Sequence, residues 1–110
     1  MKSSLQHQNG YDLLKLSGEI DLHYSPQLRE GILGPLKEGK PLLVDLENVS
    51  YIDSSGIASL VEGFQTAKSA SLPFGLLKVS QTARQVLTLT RLDKVFAIYD
   101  SADDFAGKLQ

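Results

Sequence analysis

Along residues 11–17, Leu14 and Leu16 alternate with Lys15 and Ser17, the period of a strand with one buried face. Asn9-Gly10 just before is the dipeptide of a two-residue hairpin turn, so residues 4–8 are expected to pair with that strand. Gly18 is expected to break the strand, with Glu19-Ile20-Asp21 leading into a loop. The period then changes. Leu28, Ile32, Leu33 and Leu36 recur at helical spacing after Ser25-Pro26, which reads as an N-cap followed by the first helical residue. Gly31 and Gly34-Pro35 predict a helix that becomes irregular towards its end.

Leu42-Leu43-Val44-Asp45-Leu46 is nearly unbroken in apolar residues and short, as in a strand buried on both faces of a parallel sheet. Residues 48–52 carry the chain on to Asp53-Ser54-Ser55-Gly56. Beyond that turn, Ile57, Leu60, Val61 and Phe64 form the i, i+3, i+4, i+7 stripe of an amphipathic helix reaching Ser69. A strand over 72–79 follows, then a helix over 82–90 with Val86, Leu87 and Thr90 facing inward, and a short strand over 95–99. Ser101 is placed to cap a last helix, with Asp103 and Asp104 in its first turn and Lys108 near its end, where the helix dipole favours each. Two strands followed by alternating helix and strand predict an α/β sandwich: a mixed, mostly parallel sheet of about five strands with about four helices. Residues 1–110 are expected to form one domain.

Composition narrows the function classes. A hydrophobic content of 42% supports one core, and 110 residues leave little room for a deep substrate cleft as well. The 11 Lys and Arg are scattered singly among 13 Asp and Glu, without the basic stripe of a nucleic-acid binder. With no cysteine, disulfides, thiolate metal sites and thiol catalysis are excluded together. The amino-terminal residues lack the apolar segment of a signal peptide, and no run approaches a membrane span, so a cytoplasmic protein is expected.

The main chemical signal is Asp53-Ser54-Ser55-Gly56, because a helix start presents free backbone N–H groups and a favourable dipole to an anion. A phosphate on Ser54 would fall in that field and add about −1.5 to −2 charges beside Asp53. Asp, Ser and Gly are also common capping residues, so a plain helix cap has the same local sequence. The acidic loop Gly18-Glu19-Ile20-Asp21 is a candidate neighbour of Ser54, since sites in α/β folds gather where strands end. Ala58, Ser59 and Glu62 are expected on the exposed side of the helix, where small residues would let another protein approach. His7 and His23 have no cluster of further ligands to make a metal site. A hydrolytic triad of Ser54 and His23 lacks the Gly-x-Ser-x-Gly elbow, and no glycine-rich nucleotide loop is present. No cofactor and no enzymatic activity are therefore expected.

Taken in order, Gly18-Glu19-Ile20-Asp21, Leu43-Val44-Asp45-Leu46, Val49-Ser50-Tyr51-Ile52-Asp53-Ser54-Ser55-Gly56-Ile57 and Leu92-Asp93-Lys94-Val95-Phe96 resemble the STAS domain family of bacterial anti-sigma factor antagonists across nearly the whole chain. The resemblance implies a phosphorylation-switched binding module in transcription regulation. Its partners would be a serine-kinase anti-sigma factor, captured when Ser54 is unphosphorylated, and a phosphatase that restores that form. It also implies a partner surface comprising Asp21, Leu22, His23, Asp53, Ser55, Gly56, Ile57, Ala58 and Ser59, with Asp21 the acidic residue near the acceptor. An alternative within the same family is the cytoplasmic subunit of a lipid-transporting ABC system, docked on a permease and an ATPase. That group often carries Thr at the acceptor position, so Ser54 favours the antagonists.

Overall fold

The apolar patterns fold into strands and helices that alternate as expected, and a computed structural model describes residues 1–109. In chain order these are β1 (Lys2–Gln8), β2 (Tyr11–Ile20), α1 (Ser25–Lys37), β3 (Leu42–Ile52), α2 (Ser54–Ser69), β4 (Phe74–Leu77), α3 (Gln81–Leu89), a 3-10 turn (Leu92–Lys94), β5 (Ile98–Tyr99) and α4 (Ala102–Gly107). The five strands lie in sequence order, β1-β2-β3-β4-β5. β1 pairs with β2 antiparallel through the Asn9-Gly10 turn, and the three later pairings are parallel. This is the expected mixed, mostly parallel sheet.

Two apolar clusters sandwich the sheet. On one face Leu42, Val44 and Leu46 of β3 meet Leu28 and Ile32 of α1, Leu60 of α2 and Leu87 of α3. On the other, Leu43 joins Tyr11, Leu13, Leu77 and Phe105 of α4. β3 is thus buried on both sides, which explains why its first half reads as a continuous apolar run.

The structure differs from the sequence expectations at several points. Gly18 does not end β2: it adopts φ 86°, and a register shift between Gly18 and Glu19 carries the strand on to Ile20. Only glycine adopts that backbone readily, so the residue makes a bulge within the strand. Ser25 is not the N-cap of α1. It is buried, and its hydroxyl donates to the Leu22 carbonyl (3.2 Å) instead of accepting from the helix. Asp21 takes the capping role for the entry turn, its carboxylate accepting from the backbone of His23 (3.0 Å) and Tyr24 (3.3 Å). α1 stays helical through Pro35 to Lys37, where the carbonyl that the proline ring would crowd belongs to small, flexible Gly31. Residues 48–52 belong to β3 itself, whereas the strands expected over 72–79 and 95–99 shorten to 74–77 and 98–99. Thr90 caps the end of α3 facing solvent, its hydroxyl donating to the Val86 carbonyl at 2.8 Å.

Candidate functional site

β2 and β3 run parallel with Ile20 opposite Ile52, so the two chains leave the sheet side by side. Asp53 follows at once, and its N–H donates to the Ile20 carbonyl at 3.1 Å. With extended backbone (φ −103°, ψ −174°), Asp53 is the N-cap of α2. Its Oδ1 accepts from the Ser55 N–H (3.0 Å), the Gly56 N–H (3.2 Å) and the Ser55 hydroxyl (2.5 Å). The Ser55 hydroxyl above all, together with those backbone donors and the Leu22 N–H, holds the Asp53 carboxyl below the usual carboxylate range. Asp53 therefore ties the acidic loop after β2 to the start of α2.

Ser54, the first residue of α2, is exposed. Among the described residues its hydroxyl has no hydrogen-bond partner, whereas that of Ser55 is engaged by Asp53. The arrangement corrects one expectation. The first-turn N–H groups of Ser55 and Gly56 are already occupied by the Asp53 carboxylate, so a phosphate on Ser54 would not settle into a vacant anion cradle. It would instead stand next to a carboxylate held in its charged form, and the like charges would project outward.

Gly56 explains its own place in the motif. A Cβ there would lie 2.7 Å from Ile52 Cγ1 and 2.8 Å from Ile20 Cγ2. Only a glycine allows α2 to start directly against the ends of β2 and β3.

The expected partner surface divides accordingly. Leu22, His23 and Ala58 are exposed together with Ser54, and Leu22 stands 74% open to solvent. Asp21, Asp53 and Ser55 are half-buried and spend their polar groups on the loop and the cap. Gly56, Ile57 and Ser59 are buried and are not available as side-chain contacts. Ser59 fails because α1 packs on that flank of α2: its hydroxyl lies 3.4 Å from the Ser25 carbonyl and 3.3 Å from that of Ser55. Glu62 is half-buried and forms a two-pronged pair with Arg29 of α1, both contacts at 2.7 Å. Tyr51, which the sequence analysis did not single out, is 47% exposed two residues before Asp53. Strict alternation would have put it on the face of buried Val49, so no sequence signal marks it: Ser50 and Tyr51 are both exposed between buried Val49 and Ile52. The rim around Ser54 is thus partly apolar, with Leu22 on the loop after β2 and Tyr51 at the end of β3.

No hydrogen bond joins His23 to Ser54 among the described residues, and the His23 ring packs edge-on against Tyr24 with centroids 4.8 Å apart. Among the described residues no group of three or more His, Cys, Asp or Glu is placed to hold a metal ion. No helix among them is long and apolar enough to cross a membrane.

The state of Asp53 gives a pH prediction. Its folded-state pKa is depressed, so the ionised cap stabilises the fold above the ordinary carboxylate range, and this contribution is lost as pH falls through the folded value. Asp53→Asn retains an acceptor without the charge. The difference in denaturation midpoint between the wild-type chain and Asp53→Asn should shrink as pH is lowered from about 5 to about 2. Ser55→Ala should move the Asp53 carboxyl back up in an NMR titration. A midpoint difference that does not change with pH would remove the ionised cap from the account.

Comparison with known proteins agrees with this fold. A family profile described as the STAS domain matches residues 2–105. The anti-sigma-B factor antagonist of Bacillus subtilis (strain 168) is 30% identical over 104 residues, covering 94% of this chain and 93% of that protein. A crystal structure of an anti-sigma factor antagonist from Mycobacterium paratuberculosis aligns with a TM-score of 0.83 and 26% identity, covering 98% of this chain and 92% of that one. The Bacillus cell fate determinant SpoIIAA in its phosphorylated form aligns at 0.77 with 20% identity, over 99% of this chain and 100% of that one, a likeness of fold. The matched stretch runs from β1 to Phe105 of α4 and so takes in the whole sheet and the Asp53 cap: this chain belongs to the STAS domain family.

Proposed function

We propose that this chain is an anti-sigma factor antagonist whose binding state is set by phosphorylation of Ser54. The observation that carries the reading is the contrast between adjacent serines at the start of α2. Ser55 gives its hydroxyl to Asp53, whereas Ser54 is exposed and unengaged. A kinase needs a hydroxyl it can reach, and of the two Ser54 is the one offered. The relatives support the general role, being antagonists of anti-sigma factors themselves.

In this reading the chain contributes no catalytic group. The partner is a serine-kinase anti-sigma factor, which brings ATP and Mg²⁺. Ser54 Oγ bonds to the γ-phosphorus as the bond to the bridging oxygen breaks, ADP leaves, and the hydroxyl proton passes to a base of the kinase. Unphosphorylated, the rim of Leu22, Tyr51, Ser54 and Ala58 presents exposed apolar area to the kinase. Once phosphorylated, the same rim carries the dianion beside the Asp53 carboxylate, and a surface fitted to the neutral hydroxyl is repelled. A phosphatase reverses the step by hydrolysis. The test is complex formation: the unphosphorylated chain should co-elute with the kinase in stoichiometric amount, and the phosphorylated chain should not. Equal binding by both forms would refute the switch.

A further inference from the structure

β1 is an edge strand without the usual defences. All seven residues, Lys2–Gln8, are exposed, its register against β2 is unbroken, and its sequence has no proline and a single charged residue, Lys2, at the start. Natural edge strands are usually blunted by bulges, prolines or central charges, because their free N–H and C=O groups can receive another strand. The closing pair of the two-residue turn is Gln8 with Tyr11, and such a pair exchanges its hydrogen bonds. Counting back by twos, Gln6, Ser4 and Lys2 turn their backbone groups to β2. Ser3, Leu5 and His7 turn theirs outward.

The side chains of Ser3, Leu5 and His7 line a groove of about 460 Å³ between β1 and α1. Gly31 and Gly34 widen its helical wall, and a Cβ on Gly34 would meet nothing within 4 Å. Acidic groups outnumber basic ones in the groove. Glu30, Glu38 and Asp12 line it against Lys40, which lies 3.8 Å from Glu38, and His7. Asp12 is only 2% exposed. One oxygen accepts from His7 Nδ1 at 2.8 Å, and the other, Oδ2, is buried with no hydrogen-bond partner among the described residues. A buried carboxyl held on one side only, by a ring whose own side chain is 67% exposed, adds negative potential beneath the groove.

From the free edge, the open groove and the under-satisfied carboxylate together, we infer that the β1–α1 groove binds an extended, lysine- or arginine-bearing segment of a partner protein, which adds to β1 as a further strand. Main-chain hydrogen bonds to Ser3, Leu5 and His7 hold the segment, and its cations face the exposed Glu30 and Glu38 above the buried Asp12. The acidic end of this groove is remote from Ser54. Asp12 pairs with Leu42 at the start of β3, whereas Asp53 follows Ile52 at its end. The groove can therefore be filled whatever the state of Ser54, and the inference stands apart from the proposed switch.

A blocked synthetic peptide alternating lysine and valine, titrated into the full chain under NMR observation, tests this. The amides of Ser3, Leu5 and His7 should shift first, and the glutamate–valine counterpart should bind about tenfold or more weakly. Leu5→Pro removes an outward N–H without touching the β1–β2 ladder and should abolish the response. The double variant Glu30→Lys with Glu38→Lys, which leaves the strand intact, should reverse the preference between the peptides; Ser54→Ala should change nothing. Equal response to both peptides, shifts centred elsewhere, unaltered binding in the charge-reversed chain, or pairing of β1 with a second copy in place of the peptide would each overturn the inference.

Discussion

Ser54→Glu is expected to weaken the complex with the kinase anti-sigma factor by about a hundredfold, and phosphorylation of Ser54 by more. The size follows from where the charge is placed. Ser54 is exposed at the first position of α2, and its neighbour Asp53 is kept ionised by the Ser55 hydroxyl and by three backbone N–H groups. The first-turn donors that would otherwise soften an added negative charge are committed to Asp53, so the partner has to meet it. Glu carries one charge against about −1.5 to −2 for the phosphate, which ranks the two effects. The change should appear mainly in the dissociation rate, readable by surface plasmon resonance. Ser54→Ala should bind as tightly as the wild-type chain, because the hydroxyl makes no contact that the fold needs. Loss of binding in Ser54→Ala would mean that the hydroxyl itself is the contact.

Gly56→Ala and Gly63→Ala are expected to destabilise the fold by about 1–3 kcal/mol each, and only the first to impair binding once the temperature is low enough for both to be folded. At Gly56 the new methyl would press on Ile52 and Ile20, pushing the start of α2 away from the strand ends that position Asp53 and the Leu22 loop. At Gly63, two turns further along α2, it would lie 2.4 Å from Ile32 Cγ2 of α1 and 3.2 Å from Phe74. Ile32 is branched at Cβ and fully buried, so neither helix gives way easily. A total stability of about 5–15 kcal/mol makes either loss easy to see in thermal or urea unfolding. The pair separates packing from function. If Gly63→Ala reduced binding as much as Gly56→Ala did, the motif glycine would serve stability alone.

Much of this architecture was legible because it rests on local patterns. The nearly unbroken apolar run of β3, the i, i+3, i+4, i+7 stripe of α2 and the Asn9-Gly10 turn each have one dominant physical reading, and each appears as read. The start of α2 was legible too, since Asp before Ser-Ser-Gly is strong capping chemistry. What the sequence did not disclose depends on partners far away in the chain. Ser59 is buried because α1 lies over it, and a small polar residue on a helix gives no hint of which neighbour will arrive. Gly18 reads as a break on propensity, yet inside a paired strand it becomes a bulge, because β3 continues alongside. Ser25 reads as a cap until burial turns its hydroxyl into a donor to Leu22 and Asp21 caps the entry turn in its place. The anion cradle expected at Ser54 failed for a related reason: Asp53, read as an added charge, had already taken the donors.

Ser54, and not Ser55, is proposed as the phosphoryl acceptor. Intact-mass spectrometry with site mapping, after incubation with the serine-kinase anti-sigma factor, ATP and Mg²⁺, tests it directly. The expected result is a single added phosphate on Ser54 and none in Ser54→Ala. An unchanged mass with a kinase shown to be active, or a phosphate found on Ser55 instead, would contradict it.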